Sequence, residues 1–475
     1  MLQEEKRALR SAFTYDPTED QKKAMEHLAA FGISEKPNPL YLLKGYAGTG
    51  KTSLISAFVR NLLHKDRKFV LLAPTGRAAK VLSQYTGFKA YTIHRWIYTS
   101  VMQADGRRKM VLSNNRMQNT VFVVDEASMI NDAVSEYGLF DGKGLLDDLL
   151  QFVFQGSGNK LLLVGDTAQL PPVGLDISPA LDIDYLKSAY SLTAFSFEMK
   201  EVMRQSLDSG ILKSATFLRE KINNQRVELP YFRATNFLAD VQKVEDAYEL
   251  EDLMFQSFSG KRTGEGIVIT RSNKGANLFN KQIRNFIQQK ESELEAGDQL
   301  MVVKNNYFWL DAKSRAGFIA NGDIAEVVRV NYVEDVYGFR FADAEIVLLD
   351  YPEEKELTVK LILDVLDYPG PSLGEQEHRS LFEQIEADYQ DIPSRRKRLA
   401  ALQKDPYFNA LQVKYAYAMT CHKTQGGQWP VVFVEQGYFT EEQSNIEYLR
   451  WLYTALTRAT ERVYLLGFQQ SFFEE

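Results

Sequence analysis

The chain has 475 residues, of which 45% are hydrophobic and 25% charged, a composition typical of a globular protein with roughly two to four domains. Its single cysteine, Cys421, excludes an intrachain disulfide framework and any zinc site built on several thiolates. The net charge of −7 argues only weakly against a nucleic-acid partner, because binding depends on the local field of a groove. With no signal-peptide pattern and no membrane-length apolar run, we expect an intracellular protein without a membrane partner.

Short apolar runs alternate with helical patterns along the first half of the chain. The intervening segments Thr52 to His64 and Arg77 to Tyr85 are predicted helices. This alternation is typical of βαβ units, so the sequence predicts an α/β fold with parallel sheets. Apolar runs that fit buried parallel strands occur at 40–44, 69–73, 121–124, 161–165, 266–270, 431–435 and 463–467.

Three segments interrupt this pattern. The stretch 96–119 has two β-like arms around Asp105-Gly106, which is a strong signal for a tight hairpin turn. The stretch 297–349 is dense in short β segments and predicts a small barrel or a hairpin-rich module. The charged stretch 375–411 is predicted to be helical and solvated, an arm packed on the rest of the chain.

A phosphate-binding loop follows the first predicted strand. Residues 45–52 match the pattern G-x-x-x-x-G-K-[ST] and open a predicted helix. The glycines allow backbone N–H groups to approach phosphates at the helix N-terminus. Lys51 would contact the β- and γ-phosphates of ATP, and the hydroxyl of Thr52 would bind Mg²⁺. The residues predicted to bind the nucleotide here are Gly45, Gly48, Thr49, Gly50, Lys51 and Thr52.

Two acids end the third apolar run. Asp125 is the expected Mg²⁺ ligand of a Walker-B strand, and Glu126 is placed to polarise the attacking water. Together with the loop, these residues predict a P-loop NTPase, a class that includes kinases, switches, transporters and motors.

A third motif narrows the class. Residues 165–173, GDTAQLPPV, follow the fourth apolar run, where Gln169 can contact a γ-phosphate and the two prolines stiffen the turn. This segment resembles motif III of superfamily 1 helicases. Similar motifs follow in the order of that family: a Q motif at 18–21, Ia at 73–79, Ib at 91–94, II at 125–128, IV at 203–205, V at 418–426 and VI at 453–459.

The chain therefore resembles the RecD/Dda-like branch, superfamily 1B, and is closest in size and layout to its stand-alone, Dda-sized members. The resemblance implies two tandem RecA-like lobes, with a β-hairpin insert called 1B and an SH3-like β-rich insert called 2B. The implied domains are lobe 1A at 1–95 and 120–200, pin domain 1B at 96–119, lobe 2A at 201–295 and 412–475, and domain 2B with its helical arm at 296–411.

The resemblance also implies roles for residues outside the P-loop. Gln21 would contact adenine, Gly426 would approach the nucleotide, and Arg204 and Arg458 would act as arginine fingers in catalysis beside Lys51, Glu126 and Gln169. Aromatic candidates for base stacking are Tyr91, Trp96 and Trp429. The residues expected to bind DNA are Thr75, Thr92, His94, Trp96, Thr420, His422 and Lys423.

The leading hypothesis is an ATP- and Mg²⁺-dependent helicase that moves 5′→3′ on single-stranded DNA and splits duplex junctions with the pin; the direction comes from the family alone. The alternatives are an RNA helicase and an ATP-driven remodeller or translocase that does not separate strands. We expect a monomer in the cytoplasm of a bacterial or phage-infected cell. A single-strand-binding protein or replisome component is a further candidate partner.

Overall fold

The computed structural model describes residues 2–102, 108–132, 144–202, 209–233, 235, 239–259, 264–310, 314, 318–349, 351 and 353–474. The turn Asp105-Gly106 and the predicted arginine finger Arg204 lie outside these residues. None of the described helices has the length and hydropathy that a membrane crossing requires.

The helices are distributed along the whole chain. They are α1 (Leu2–Ala12), α2 (Glu19–Ile33), α3 (Lys51–His64), α4 (Gly76–Thr86), α5 (Ile93–Ile97), α6 (Leu145–Gln155), α7 (Ile183–Ala189), α8 (Gly210–Asn223), α9 (Ala247–Phe258), α10 (Asn273–Gln282), α11 (Asp364–Asp367), α12 (Glu375–Ala387), α13 (Arg395–Leu402), α14 (Cys421–Thr424) and α15 (Ile446–Leu456).

The strands fall into four groups. They are β1 (Pro39–Gly45), β2 (Lys68–Ala73), β3 (Ala90–Thr92), β4 (Tyr98–Met102), β5 (Arg108–Leu112), β6 (Thr120–Val124), β7 (Lys160–Gly165), β8 (Thr193–Met199), β9 (Val241–Lys243), β10 (Gly266–Thr270), β11 (Gln299–Val302), β12 (Ile324–Val336), β13 (Phe339–Leu348), β14 (Leu357–Ile362), β15 (Leu411–Tyr415), β16 (Ala418–Thr420), β17 (Trp429–Glu435) and β18 (Ala459–Leu466).

Two parallel sheets form the centres of two lobes. Lobe 1 contains a six-stranded sheet of order β3-β2-β6-β7-β1-β8, and lobe 2 contains a five-stranded sheet of order β16-β10-β17-β18-β9. Every residue of β6 and of β10 is buried, as expected for parallel strands covered by helices on both faces. The predicted fold class is confirmed.

The two inserts are a hairpin and a barrel. Strands β4 and β5 pair antiparallel as the predicted hairpin. Strands β11 to β15 close into a barrel, but two of its strands, β14 and β15, lie outside the stretch 297–349 from which the module was predicted. Since β15 ends at Tyr415, the barrel also runs past the predicted boundary at residue 411.

The charged segment 375–411 is helical in part and packs on the barrel. Its helices α12 and α13 bury Leu381, Ile385 and Leu402 in one hydrophobic cluster with Phe341 of β13. The arm is therefore attached to the barrel through an ordinary apolar contact.

Candidate nucleotide and nucleic-acid sites

The phosphate-binding loop connects β1 to α3 in lobe 1. Gly48 and Gly50 have φ angles of 77° and 83°, in the left-handed region that favours glycine. A Cβ on Gly45 would lie 2.8 Å from Oγ1 of Thr49, so that position also excludes a side chain. The three glycines therefore create a cradle of backbone N–H groups at the N-terminus of α3, the arrangement that binds phosphate.

Lys51, the first residue of α3, is folded over the loop. Its Nζ donates to the carbonyl oxygens of Gly45 at 2.7 Å and Tyr46 at 3.1 Å. The same ammonium lies 3.9 Å from Oδ2 of Asp166, a fully buried carboxylate at the end of β7. The cation is thus held beside the cradle by weak neutral acceptors, which a phosphate oxygen would replace with a charge-assisted bond.

The two predicted Walker-B acids end β6 beside this loop. Glu126 has φ 53° and ψ 40°, a left-handed conformation that is uncommon for a non-glycine residue and is often found at functional sites. Its backbone N–H donates to Oδ1 of Asp125 at 2.9 Å. Burial and, second, the charge of Glu126 raise the pKa of Asp125 to about 7.

A cleft of about 350 Å³ lies between the two lobes. Lobe 1 lines it with the phosphate-binding loop, Asp125, Glu126 and Gln169, whose Oε1 is buried without a hydrogen-bond partner among the described residues. Lobe 2 contributes Arg458, which is 4% exposed. The predicted nucleotide-binding residues that line the cleft are Gly48, Gly50, Lys51, Thr52 and Gly426.

Gln21 supports the loop from behind. Its Nε2 donates to the carbonyl oxygen of Thr49 at 2.8 Å, and its Oε1 accepts from the backbone N–H of Thr18 in a capping box at the start of α2. Both polar groups of the Gln21 amide are therefore bonded within the protein. Adenine contact by Gln21 stays a prediction.

A second cavity, of about 340 Å³, lies where both lobes meet the barrel; we call it the channel. Five of the seven predicted DNA-binding residues line it, together with residues of barrel turns such as Asn305 and Asn321. Its polar lining residues include Thr75, Arg77, Thr92, His94, Asn305, Asn321, His422, Lys423 and Gln425.

Two helices that begin at the channel, α4 and α5, are capped by hydroxyl groups. Thr75 stands two residues after β2, and Thr92 is the last residue of β3. Their Oγ1 atoms accept the backbone N–H groups of Ala78 and Arg95, each at 3.2 Å. Ser272 repeats this arrangement in lobe 2: like Thr75 it stands two residues after its strand, and its Oγ accepts from Gly275 N at 3.0 Å. Ser272 does not line the channel.

The titratable groups of the channel are poorly solvated. Burial lowers the pKa of His94 to about 4 and also lowers the pKa of His422, so both imidazoles are neutral at pH 7. Burial lowers the pKa of Lys423 to about 8, and its Nζ has no hydrogen-bond partner within the described chain. A buried ammonium without a partner is costly, which favours an anionic ligand in this place.

Four predicted nucleic-acid contacts lie apart from the channel lining: Tyr91, Trp96, Thr420 and Trp429. The Trp96 ring packs against Tyr91 with the centroids 4.7 Å apart, at the margin of a lobe 1 core cluster. Thr420 is the N-cap of α14, and its side chain makes no capping bond. Trp429 is 3% exposed, so this structure leaves its ring no open face for a base.

The cleft and the channel share two segments of chain. In α4 and the residue before it, Thr75 and Arg77 line the channel, whereas Ala78 and Val81 line the cleft. In lobe 2, His422, Lys423 and Gln425 line the channel, and the next three residues, 426–428, line the cleft. Each of these two segments therefore contributes residues to both cavities.

Sequence comparison finds two matching families. The family described as AAA domain matches residues 17–229, and the family described as UvrD-like helicase C-terminal domain matches residues 415–466. The first match contains the phosphate-binding loop and the acids that end β6. The second contains α14, α15 and Arg458.

Individual relatives are distant. The chain is 25% identical to the ATP-dependent RecD2 DNA helicase of Deinococcus radiodurans over 95% of its own length, and spans about half (49%) of that protein. It is 25% identical to the ATP-dependent DNA helicase dda of Enterobacteria phage T4, over 67% of this chain and 68% of that protein. A crystal structure of Pif1 helicase from Bacteroides in complex with ADP-AlF3 and ssDNA aligns over 97% of this chain and 95% of that chain at 14% identity, with a TM-score of 0.46.

Proposed function

Because this chain belongs to the superfamily 1B helicases of the RecD, Dda and Pif1 type, we propose that it is an ATP-dependent DNA helicase. It moves 5′→3′ on single-stranded DNA and separates duplex strands with the β4–β5 hairpin as a pin. ATP hydrolysis drives the relative motion of the two lobes, and that motion advances the strand.

The observation that carries the proposal is the sharing of α4 and the segment 422–428 between the cleft and the channel. A motor must link the state of its nucleotide to its grip on the track. Here Gly426 lies so close to α4 that a Cβ on it would meet the Cβ of Ala78 at 2.6 Å. A change of lobe separation therefore alters both cavities together.

The residues of the cleft fit MgATP. The glycine cradle leaves room for phosphates, and Thr52 and Asp125 supply the hard oxygen donors that Mg²⁺ prefers. When bound, Mg²⁺ would neutralise charge on the phosphates. Glu126 orients the attacking water, and Lys51 and Arg458 stabilise the charge that develops on the transferred phosphoryl group. Gln169 responds to the γ-phosphate through its Nε2 donor, and its Oε1, which has no partner among the described residues, accepts from the attacking water. Arg204 is proposed as a second finger.

The channel fits a single strand held by its phosphates. Hydroxyl-capped helix N-termini suit phosphate oxygens, as does the ammonium of Lys423, which has no partner among the described residues. Neither recognises bases, as a motor on arbitrary sequence requires. Thr75, Thr92, His94, His422 and Lys423 contact the strand in this proposal. Contacts by Trp96 and Thr420 stay predictions, as do a single-strand-binding or replisome partner and a cytoplasmic location.

The proposal is tested by unwinding two matched duplexes, one with a 5′ single-stranded tail and one with a 3′ tail. ATP-driven opening of the 5′-tailed duplex alone is the expected result. Opening of the 3′-tailed duplex alone would keep a helicase but contradict its direction. Hydrolysis of ATP without opening of either duplex would favour a remodeller, and stronger stimulation by an RNA homopolymer than by DNA of equal length would favour an RNA substrate.

A further inference from the structure

Tyr453 connects lobe 2 to two segments of lobe 1 through one hydroxyl group. It lies in α15 and is 1% exposed. Its Oη accepts a hydrogen bond from the backbone N–H of Ala47 in the phosphate-binding loop at 2.8 Å, and donates to Oδ2 of Asp166 at 2.7 Å. A single side chain of lobe 2 thus contacts both the loop and the segment that follows β7.

The chemistry of this contact makes it specific. Asp166 is 0% exposed, and its other oxygen, Oδ1, already accepts the backbone N–H of Ala168 at 2.9 Å. Burial and, second, the charge of Asp166 raise the pKa of Tyr453 well above its usual value, so the hydroxyl keeps the proton that it donates. A hydrogen bond to a buried carboxylate is among the stronger neutral-to-charged contacts in proteins.

The next residue of α15 makes a parallel link. Oγ1 of Thr454 accepts from the backbone N–H of Leu170 at 2.9 Å, and Nε2 of Gln425 donates to the carbonyl oxygen of the same leucine at 2.7 Å. One turn later, Arg458 donates from Nε to the carbonyl oxygen of Thr454 at 3.1 Å. The end of α15 that presents Arg458 to the cleft is therefore attached to lobe 1 by two adjacent side chains.

We propose that Tyr453 is a positioning residue that fixes the end of α15 against the phosphate-binding loop, so that Arg458 is aligned with the nucleotide when the lobes close. The inference rests on the proposed ATPase function. Without the hydroxyl, the cleft keeps its lining, but α15 loses its hydrogen bonds to Ala47 and Asp166. Catalysis should then suffer more than nucleotide binding, because alignment matters most in the transition state.

Steady-state ATP hydrolysis with saturating oligo(dT) tests this for Tyr453→Phe. We expect kcat to fall about tenfold, the loss of one hydrogen bond to a charged group, while KM for ATP stays within about twofold. Thr454→Val, which removes the acceptor of Leu170 N–H, should show the same split. Tyr448→Phe is the matched control, because that buried ring of α15 packs against Tyr231 and Phe439 within lobe 2.

A double-mutant cycle separates positioning from damage to the fold. In an Arg458→Ala background, Tyr453→Phe should have almost no further effect on kcat, because the group that it positions is gone. If Tyr453→Phe lowered kcat by the same factor in both backgrounds, or if the single variant had a wild-type kcat, the inference would be overturned and the helicase proposal would stay intact. Absence of ATP hydrolysis by the wild-type chain would instead overturn the proposed function, and the inference with it.

Discussion

The guanidinium carbon of Arg77 lies 3.8 Å from the centroid of the Trp429 ring, and this cation–π contact joins α4 of lobe 1 to β17 of lobe 2. Trp429 directly follows the segment 426–428 that lines the nucleotide cleft. The contact therefore joins the two lobes beside the cleft, and in the proposed mechanism it would stabilise closure of the lobes over the nucleotide.

Replacing Arg77 by lysine should weaken closure without removing the positive charge from the channel. A stacked guanidinium contributes about 1 kcal/mol more than an ammonium at such a site, so Arg77→Lys should raise KM for ATP about fivefold. The affinity of the nucleotide-free protein for single-stranded DNA, measured by fluorescence anisotropy, should change less than about twofold, because closure over a nucleotide is not involved. An unchanged KM would show that this contact does not contribute to nucleotide binding.

Lys51→Ala tests the phosphate cradle. Loss of a preorganised cation at the transferred phosphate should lower ATP turnover at least about 100-fold, measured by phosphate release. Lys65→Ala, at the exposed opposite end of α3, is the control and should leave turnover unchanged. Wild-type hydrolysis by Lys51→Ala would remove the loop from the catalytic site.

The buried ammonium of Lys423 predicts a pH-dependent affinity for DNA. In the free protein its pKa is lowered to about 8, and a bound phosphate would raise that pKa. Binding therefore takes up a proton above pH 8, and affinity should fall by up to about fivefold between pH 8 and pH 9. Kd for a short oligo(dT), measured across this range at constant ionic strength, checks the slope.

Lys423→Arg is the control for that slope. Arginine stays protonated, so the variant should bind DNA with an affinity that no longer depends on pH between 8 and 9. Lys414, the neighbouring ammonium whose pKa is also lowered to about 8, already donates to Asn277 Oδ1 and to the carbonyl oxygen of Tyr368. If Lys423→Arg kept the wild-type slope, another group would be responsible for it.

Shortening the β4–β5 hairpin tests the pin. Replacing residues 101–109 with Asn-Gly keeps the paired positions Tyr98 with Leu112 and Ser100 with Met110, and supplies a two-residue turn that suits a hairpin. It also preserves Asn115, whose Nδ2 donates to the carbonyl oxygen of Phe152 at 2.9 Å. Strand separation should be lost, while DNA-stimulated ATP hydrolysis stays within about twofold of wild type.

The readout is a comparison of two assays on the same variant: opening of the 5′-tailed duplex, and ATP turnover on oligo(dT). A variant that still opens the duplex at the wild-type rate would show that the hairpin is not the wedge. Turnover that fell together with unwinding would show that the hairpin contributes to the motor itself.

Features that depend on only a few consecutive residues could be predicted from the sequence. The loop 45–52 needs only a strand, glycines and a helix in succession, and the buried strands β6 and β10 are recognisable as short apolar runs. Hydroxyl caps such as Thr75 also follow from local spacing, because a cap bonds a backbone N–H only three residues away. These local patterns predicted the parallel sheets, the hairpin and the phosphate-binding loop. The five predicted DNA-binding residues that line the channel were predicted instead from the resemblance to superfamily 1 helicases.

Only the tertiary structure decided which remote segments meet. The barrel closes with β15, which is separated from β14 by the whole helical arm, and no local periodicity encodes that pairing. Likewise, Trp96 and Trp429 were equal candidates for stacking until packing covered one ring with Arg77 and set the other against Tyr91. The link from Tyr453 to Ala47 joins residues 406 positions apart. Burial and such long-range contacts are properties of the packed chain, so they are determined only when the lobes are assembled.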